Sequence, residues 1–167
     1  RIPLGQVFQK YTVSAIVVDP RDADVIYVGM RNAGIYKSID AGLSWKPMLQ
    51  GMENSQIRSI VIDHQNSNIL YAGTMDSIYK TLDGAETWQP LGWEGELSMD
   101  PEDSSHIYAL AYGNINETKD GGITWKLKKN QERCPSNIEG GENGILLESS
   151  NVLWVAHAQY EEGDDCR

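Results

Sequence analysis

Ser38-Ile39-Asp40-Ala41-Gly42-Leu43-Ser44-Trp45, Thr81-Leu82-Asp83-Gly84-Ala85-Glu86-Thr87-Trp88 and Thr118-Lys119-Asp120-Gly121-Gly122-Ile123-Thr124-Trp125 are three versions of one octet. Each opens on a hydroxyl residue and has Asp third, a second hydroxyl seventh and Trp last. A short Asp side chain accepts main-chain N–H bonds inside a tight turn. A Gly in such a turn relieves a backbone position that would strain a residue with a Cβ. The Trp covers apolar surface by packing back across the hairpin. Asp40, Asp83, Asp120, Trp45, Trp88 and Trp125 are therefore read as corners of a scaffold, not as catalytic carboxylates or calcium ligands. Ala85 stands where Gly is usual, and it is expected to force a slightly different turn.

Working outward, each octet is preceded by the same two apolar runs. They read Ala15–Asp19 then Ile26-Tyr27-Val28-Gly29, Ser59–Asp63 then Leu70-Tyr71-Ala72-Gly73, and Leu97–Asp100 then Ile107-Tyr108-Ala109-Leu110. The Asp closing the first run stands eight residues before the Tyr in all three units, and the octet opens eleven, ten and ten residues after that Tyr. Such self-similarity marks a repeat architecture. Each unit holds short β-rich runs split by Asp, Pro, Asn and Gly, and a fourth strand follows each Trp. The expected fold is all-β, in blades of four antiparallel strands.

The octet resembles the Asp-box, or BNR repeat, S/T-x-D-x-G-x-T/S-W. Families built on it include sialidases, sortilin-type receptors, xyloglucanases and photosystem II assembly factors. The lead-ins "VDP", "IYVG" and "GIYKS" look most like the sortilin and xyloglucanase side. The resemblance implies a β-propeller with Asp-box turns, of about four blades here.

The blades are expected at about 12–49, 57–92, 96–129 and 144–160 of a single 1–167 unit. In the fourth, Trp154 takes the Tyr position, but Asp164-Asp165-Cys166-Arg167 stands where an Asp-box should begin. Arg1-Ile2-Pro3-Leu4 reads like a fourth strand, since Lys46-Pro47-Met48 and Gln89-Pro90-Leu91 follow two of the box tryptophans. Two arrangements follow. The chain is a segment of a larger propeller, or residues 1–8 complete the last blade and close a small ring. Either leaves blade edges that can pair with another chain unless they are covered.

Composition narrows the functions. A net charge of −10 repels polyanions, so nucleic acid is not expected as a partner. No apolar run approaches the roughly 18–20 residues that cross a bilayer, and membrane insertion is not expected. His64, His106 and His157 share no ligand spacing, and neither a metal nor a cofactor is expected. Cys134 and Cys166 leave a disulfide and two free thiols both open. Asn116-Glu117-Thr118 is a formal glycosylation sequon that overlaps the third octet.

Propellers bind through loops gathered on one face. The binding candidates there are Arg31, Asn32, Asp76, Trp93, Tyr112 and Asn114. The Lys128–Asn143 stretch breaks the repeat period and is a further candidate. The leading expectation is a non-catalytic module or scaffold that binds protein or peptide, in an extracellular or periplasmic protein. The alternative is a fragment of a glycoside hydrolase of the xyloglucanase or sialidase type, with carbohydrate as ligand. Such an enzyme needs two facing carboxylates, whereas Asp76 is the single acid of the loops after the second strands. Arg1-Ile2-Pro3 resembles the Arg-Ile-Pro motif of sialidases, but the fourth-strand pattern also explains it.

Overall fold

A computed structural model of the chain describes residues 11–52, 56–112, 114–128, 143–149 and 152–157, the last two stretches as backbone. The expected strand at Arg1–Gly5, both cysteines, most of the Lys128–Asn143 stretch and the segment after His157 lie outside the described residues. The fold is all-β, with three four-stranded antiparallel sheets that have the form of propeller blades.

The first blade comprises β1 (Val13–Asp19), β2 (Asp22–Met30), β3 (Gly34–Ser38) and β4 (Lys46–Pro47). The second comprises β5 (Ser59–Ile62), β6 (Leu70–Gly73), β7 (Ile78–Thr81) and β8 (Gln89–Pro90). The third comprises β9 (Glu96–Met99), β10 (Ile107–Ala111), β11 (Asn114–Thr118) and β12 (Lys126–Lys128). A hairpin of β13 (Asn143–Ser149) and β14 (Val152–His157) follows. In every blade the strands neighbour one another in chain order. The blades also succeed one another in chain order, since β1 packs beside β5, β5 beside β9 and β9 beside β13.

Burial explains the strand compositions. Every residue of β6 is buried, as are Ile107–Leu110 of β10, because a central blade strand is covered on both faces. The outer strands β4, β8 and β12 are exposed throughout. The core sits between blades. One cluster joins Tyr27, Ile35 and Met48 to Ile60, Leu70 and Trp88, and another joins Tyr71 and Ile78 to Leu97, Ile107 and Trp125. At the front of the first blade the pattern changes. Ile16 is 68% exposed, whereas Ile60, its counterpart in the second blade, is 8% exposed and buried between blades.

Gly29, one residue before the end of β2, and Gly73, at the end of β6, allow the next blade to approach. A Cβ on Gly29 would lie 2.3 Å from Ile57 Cγ2, and one on Gly73 would lie 2.1 Å from the Gly95 carbonyl oxygen. No described helix is long and apolar enough to cross a membrane.

Candidate functional site

The loops divide between two ends of the blades. At one end are the hairpins joining first to second strands, together with the Asp-boxes. At the other are the links between second and third strands, near residues 31–33, 74–77 and 112, and the crossings into the next blade, near 49–57 and 91–95.

The Asp-box end is a hydrogen-bonded scaffold. Ser44 and Thr87 donate their N–H groups to Asp40 and Asp83 at 2.8 and 2.9 Å, and Thr124 donates to Asp120 at 2.8 Å. The same three hydroxyls donate to the second carboxylate oxygens. The opening hydroxyls of Ser38, Thr81 and Thr118 donate to the near oxygen at 2.8, 2.7 and 2.7 Å. Those hydroxyls also accept the N–H groups of Gly42, Ala85 and Gly122 at 2.9, 3.1 and 2.9 Å. Hydrogen bonds from Thr87 and from Thr124 hold Asp83 and Asp120 down at about 2. Carboxylates held ionised in this way are poor proton donors and acceptors near neutral pH. Among the described residues, no group of three or more His, Cys, Asp or Glu could hold a metal ion.

The altered turn expected at Ala85 is not found. Ala85 takes the same left-handed conformation, at φ 75°, and keeps the same hydrogen bond as Gly42 and Gly122, which lie at φ 88° and 90°. The hydroxyl and carboxylate fix the turn, and the alanine carries the strain.

The three box tryptophans are buried as expected but have different partners. Trp45 Nε1 donates to the Gly42 carbonyl at 2.9 Å, whereas Trp88 Nε1 reaches back to the Met48 carbonyl of the preceding blade at 3.2 Å. Trp125 Nε1 has no acceptor among the described residues, and its ring lies 6.2 Å from that of Trp93.

At the opposite end, the structure brings Trp93, Tyr112 and Asn114 together. With Glu94, Ala111, Asn116 and Leu127 they line an open cleft of about 300 Å³. The crossing loop is anchored to the second blade. Leu91 N–H donates to the Ile78 carbonyl at 2.8 Å, Gly95 N–H donates to the Thr74 carbonyl at 3.2 Å, and Ile78 N–H donates to the Trp93 carbonyl. These bonds leave the Trp93 side chain 40% exposed. Tyr112 is 80% exposed at φ 49°, a left-handed conformation unusual for an aromatic residue, and its hydroxyl donates to Glu94 Oε2 at 3.3 Å.

The other three candidates do not join this cleft. Arg31 and Asn32, the latter at φ 67°, are exposed on the first blade's loop. Asp76 is exposed on the second blade's loop, where Thr74 Oγ1 donates to its carboxylate. Glu94, in the same 92–96 loop as Trp93 but not among the six named candidates, supplies a carboxylate to the cleft. Asn116, which opens the sequon, is 8% exposed within β11 and is not presented as a loop residue would be. A larger cleft of about 460 Å³ runs between Lys37, Trp45 and Glu86. Its walls are Asp-box and junction residues, and the Lys46–Glu86 pair sits there at 3.1 Å.

Together these features define an Asp-box, BNR-type β-propeller module with an aromatic cleft at the end away from its boxes. The chain is similar in fold to solved structures of GH74 xyloglucanases and of YCF48, and in sequence to a xyloglucanase. No family model matches it. It is 27% identical over 97 residues to a probable oligoxyloglucan-reducing end-specific xyloglucanase of Neosartorya fischeri, covering 52% of this chain and 12% of that protein. The GH74 xyloglucanase structure from Xanthomonas campestris superposes with a TM-score of 0.63 at 20% identity, over 85% of this chain and 26% of that one. A structure of YCF48 bound to D1 peptide superposes with a TM-score of 0.58 at 17% identity, over 70% of this chain and 40% of that one. The chain thus spans well under half the length of each.

Proposed function

We propose that this chain is a non-catalytic binding module that takes a protein or peptide segment at the Trp93–Tyr112–Asn114 cleft, within an extracellular or periplasmic protein. The observation that carries the reading is two solvent-facing aromatic side chains beside one carboxylate, Glu94, at the loop end away from the Asp-boxes. Aromatic rings offer contact area at low conformational cost, and an adjacent carboxylate favours a basic or amide-rich segment. The chain's net charge of −10 points the same way. The likeness to YCF48, a propeller solved with a peptide, supports the class of ligand.

The sequence match to a xyloglucanase favours a second reading, a carbohydrate-binding piece of a glycoside hydrolase. The two readings separate by experiment. Displayed random peptides and xyloglucan oligosaccharides are offered in parallel to the full chain and to Trp93→Ala and Tyr112→Ala variants. Peptide binding that weakens about tenfold or more in both variants is expected. Binding of the oligosaccharides alone, or peptide binding indifferent to both substitutions, contradicts the proposal. The compartment is tested by alkylating Cys134 and Cys166 in protein recovered from its source, where a disulfide is expected.

A further inference from the structure

Between the first three blades the faces are closed. Tyr27 Oη and Lys37 Nζ donate to the Gly84 carbonyl at 3.4 and 3.0 Å, and Tyr71 Oη and Lys80 Nζ donate to the Gly121 carbonyl at 3.0 and 2.8 Å. What each blade turns outward is the edge of its fourth strand, and the three edges are not alike.

The fourth strands share one register. Pro47 pairs across the sheet with Tyr36, Pro90 with Tyr79 and Leu127 with Asn116, each standing two residues after its box tryptophan. Along an antiparallel strand the main-chain groups of successive residues point alternately to its two sides. Met48 N–H donates inward to the Ile35 carbonyl and Leu91 N–H donates inward to the Ile78 carbonyl, both at 2.8 Å. Pro47 and Pro90, one residue earlier, therefore face out of the sheet. Proline has no N–H to offer there, and it guards an edge against further pairing. Leu127 holds the same position in β12, so the third edge presents both an N–H and a carbonyl. Among the described residues no strand pairs beyond β12. The Leu127 side chain is 61% exposed and lines the cleft with Trp93 and Tyr112.

We propose that a peptide held in this cleft binds as a fifth strand added antiparallel along β12, a mode that rests on the cleft being the peptide site. An antiparallel partner exchanges both main-chain bonds with Leu127 through one residue, and pockets for alternate side chains supply the selectivity. The two faces of β12 define that segment. On the cleft face, an apolar residue opposite Leu127 covers Leu127 and Trp93. On the other face Lys126 and Lys128 flank Leu127, and Glu117 is the carboxylate beside them, paired across from Lys126 and 3.9 Å from Lys128. Acidic residues on either side of the apolar one balance the two cations. Beyond Lys128 the added strand returns to the cleft face at the end where Tyr112 holds Glu94, and a basic residue fits there.

The probe is a capped hexapeptide, threonine-lysine-glutamate-valine-glutamate-threonine, titrated into the full 167-residue chain and followed by NMR. Saturable shifts are expected at Trp93 and Leu127. Exchange of the Leu127 amide, fast in the chain alone, is expected to slow about tenfold or more in the complex. Leu127→Pro, which installs the residue of the other two edges, is expected to weaken binding about tenfold, as loss of a main-chain hydrogen bond does. N-methylation of the valine, whose N–H faces Leu127, is expected to weaken it equally. N-methylation of the following glutamate, whose N–H points away, is expected to change it by less than about twofold. Undiminished binding to Leu127→Pro, with binding still lost in Trp93→Ala, overturns strand addition and leaves the cleft standing. A Leu127 amide already slow to exchange in the chain alone also overturns it, as does a probe that fails to bind while displayed peptides still require Trp93. Failure of the cleft itself reads differently, since displayed peptides then bind regardless of Trp93 and Tyr112, and the added strand falls with it.

Discussion

Each Asp-box places the two residues after its aspartate in left-handed backbone: Ala41 and Gly42 at φ 54° and 88°, Gly84 and Ala85 at 69° and 75°, Gly121 and Gly122 at 67° and 90°. A Cβ costs about 1–2 kcal/mol in that conformation. Ala41 is exposed, so Ala41→Gly is expected to raise stability by about 1 kcal/mol in chemical denaturation. Ala85 is fully buried in the first interblade core. There Ala85→Gly gives up a methyl contact worth about 0.8 kcal/mol, and the two effects are expected nearly to cancel. The carboxylates make a separate prediction. Asp83 and Asp120 sit at about 2 in the fold, below their ordinary 3.8, so they stabilise it fully above about pH 4. That contribution is lost as pH falls towards about 2. Thermal unfolding should show a midpoint that drops across this window in the wild type, and drops less in an Asp83→Asn, Asp120→Asn double variant.

At the level of the element, the sequence carried most of the blade. The Asp–Tyr–octet spacing placed the second and third strands of all three complete units, because strand pairing and turn chemistry are local. The junctions were not legible, because they join residues far apart. Tyr27 and Gly84 are 57 residues apart, and nothing local to either announces their contact. Tyr71→Phe is expected to cost about 1 kcal/mol, since the Gly121 carbonyl keeps Lys80 as a donor. Gly73→Ala should be costlier, about 2 kcal/mol by denaturant titration, because its Cβ would meet a backbone oxygen that cannot turn aside. The third repeat has Leu110 at the corresponding position. It packs with Tyr108 and Ile115, away from the two interblade cores.

Over the whole molecule, the candidate site was half legible. Trp93, Tyr112 and Asn114 converge because a crossing loop and the next blade's hairpin meet at one junction. Arg31, Asn32 and Asp76 belong to other blades, and periodicity cannot say which loops of one face share a cleft. The exposure of Ile16 and Val18, at 68% and 47%, gives the expected edge liability a specific place. An Ile16→Thr, Val18→Thr variant is expected to self-associate less in sedimentation velocity, with stability changed by only about 0.5 kcal/mol.

Whether the Asp-boxes are the frame of this molecule can be read directly from amide hydrogen exchange, followed by NMR. The N–H groups of Gly42, Ser44, Ala85, Thr87, Gly122 and Thr124 all donate inside the boxes. They are expected to exchange only through global unfolding, as slowly as the amide of Tyr71 in the buried strand β6. Exchange of these six as fast as that of Met75 in an exposed loop would contradict a scaffold held by its Asp-boxes.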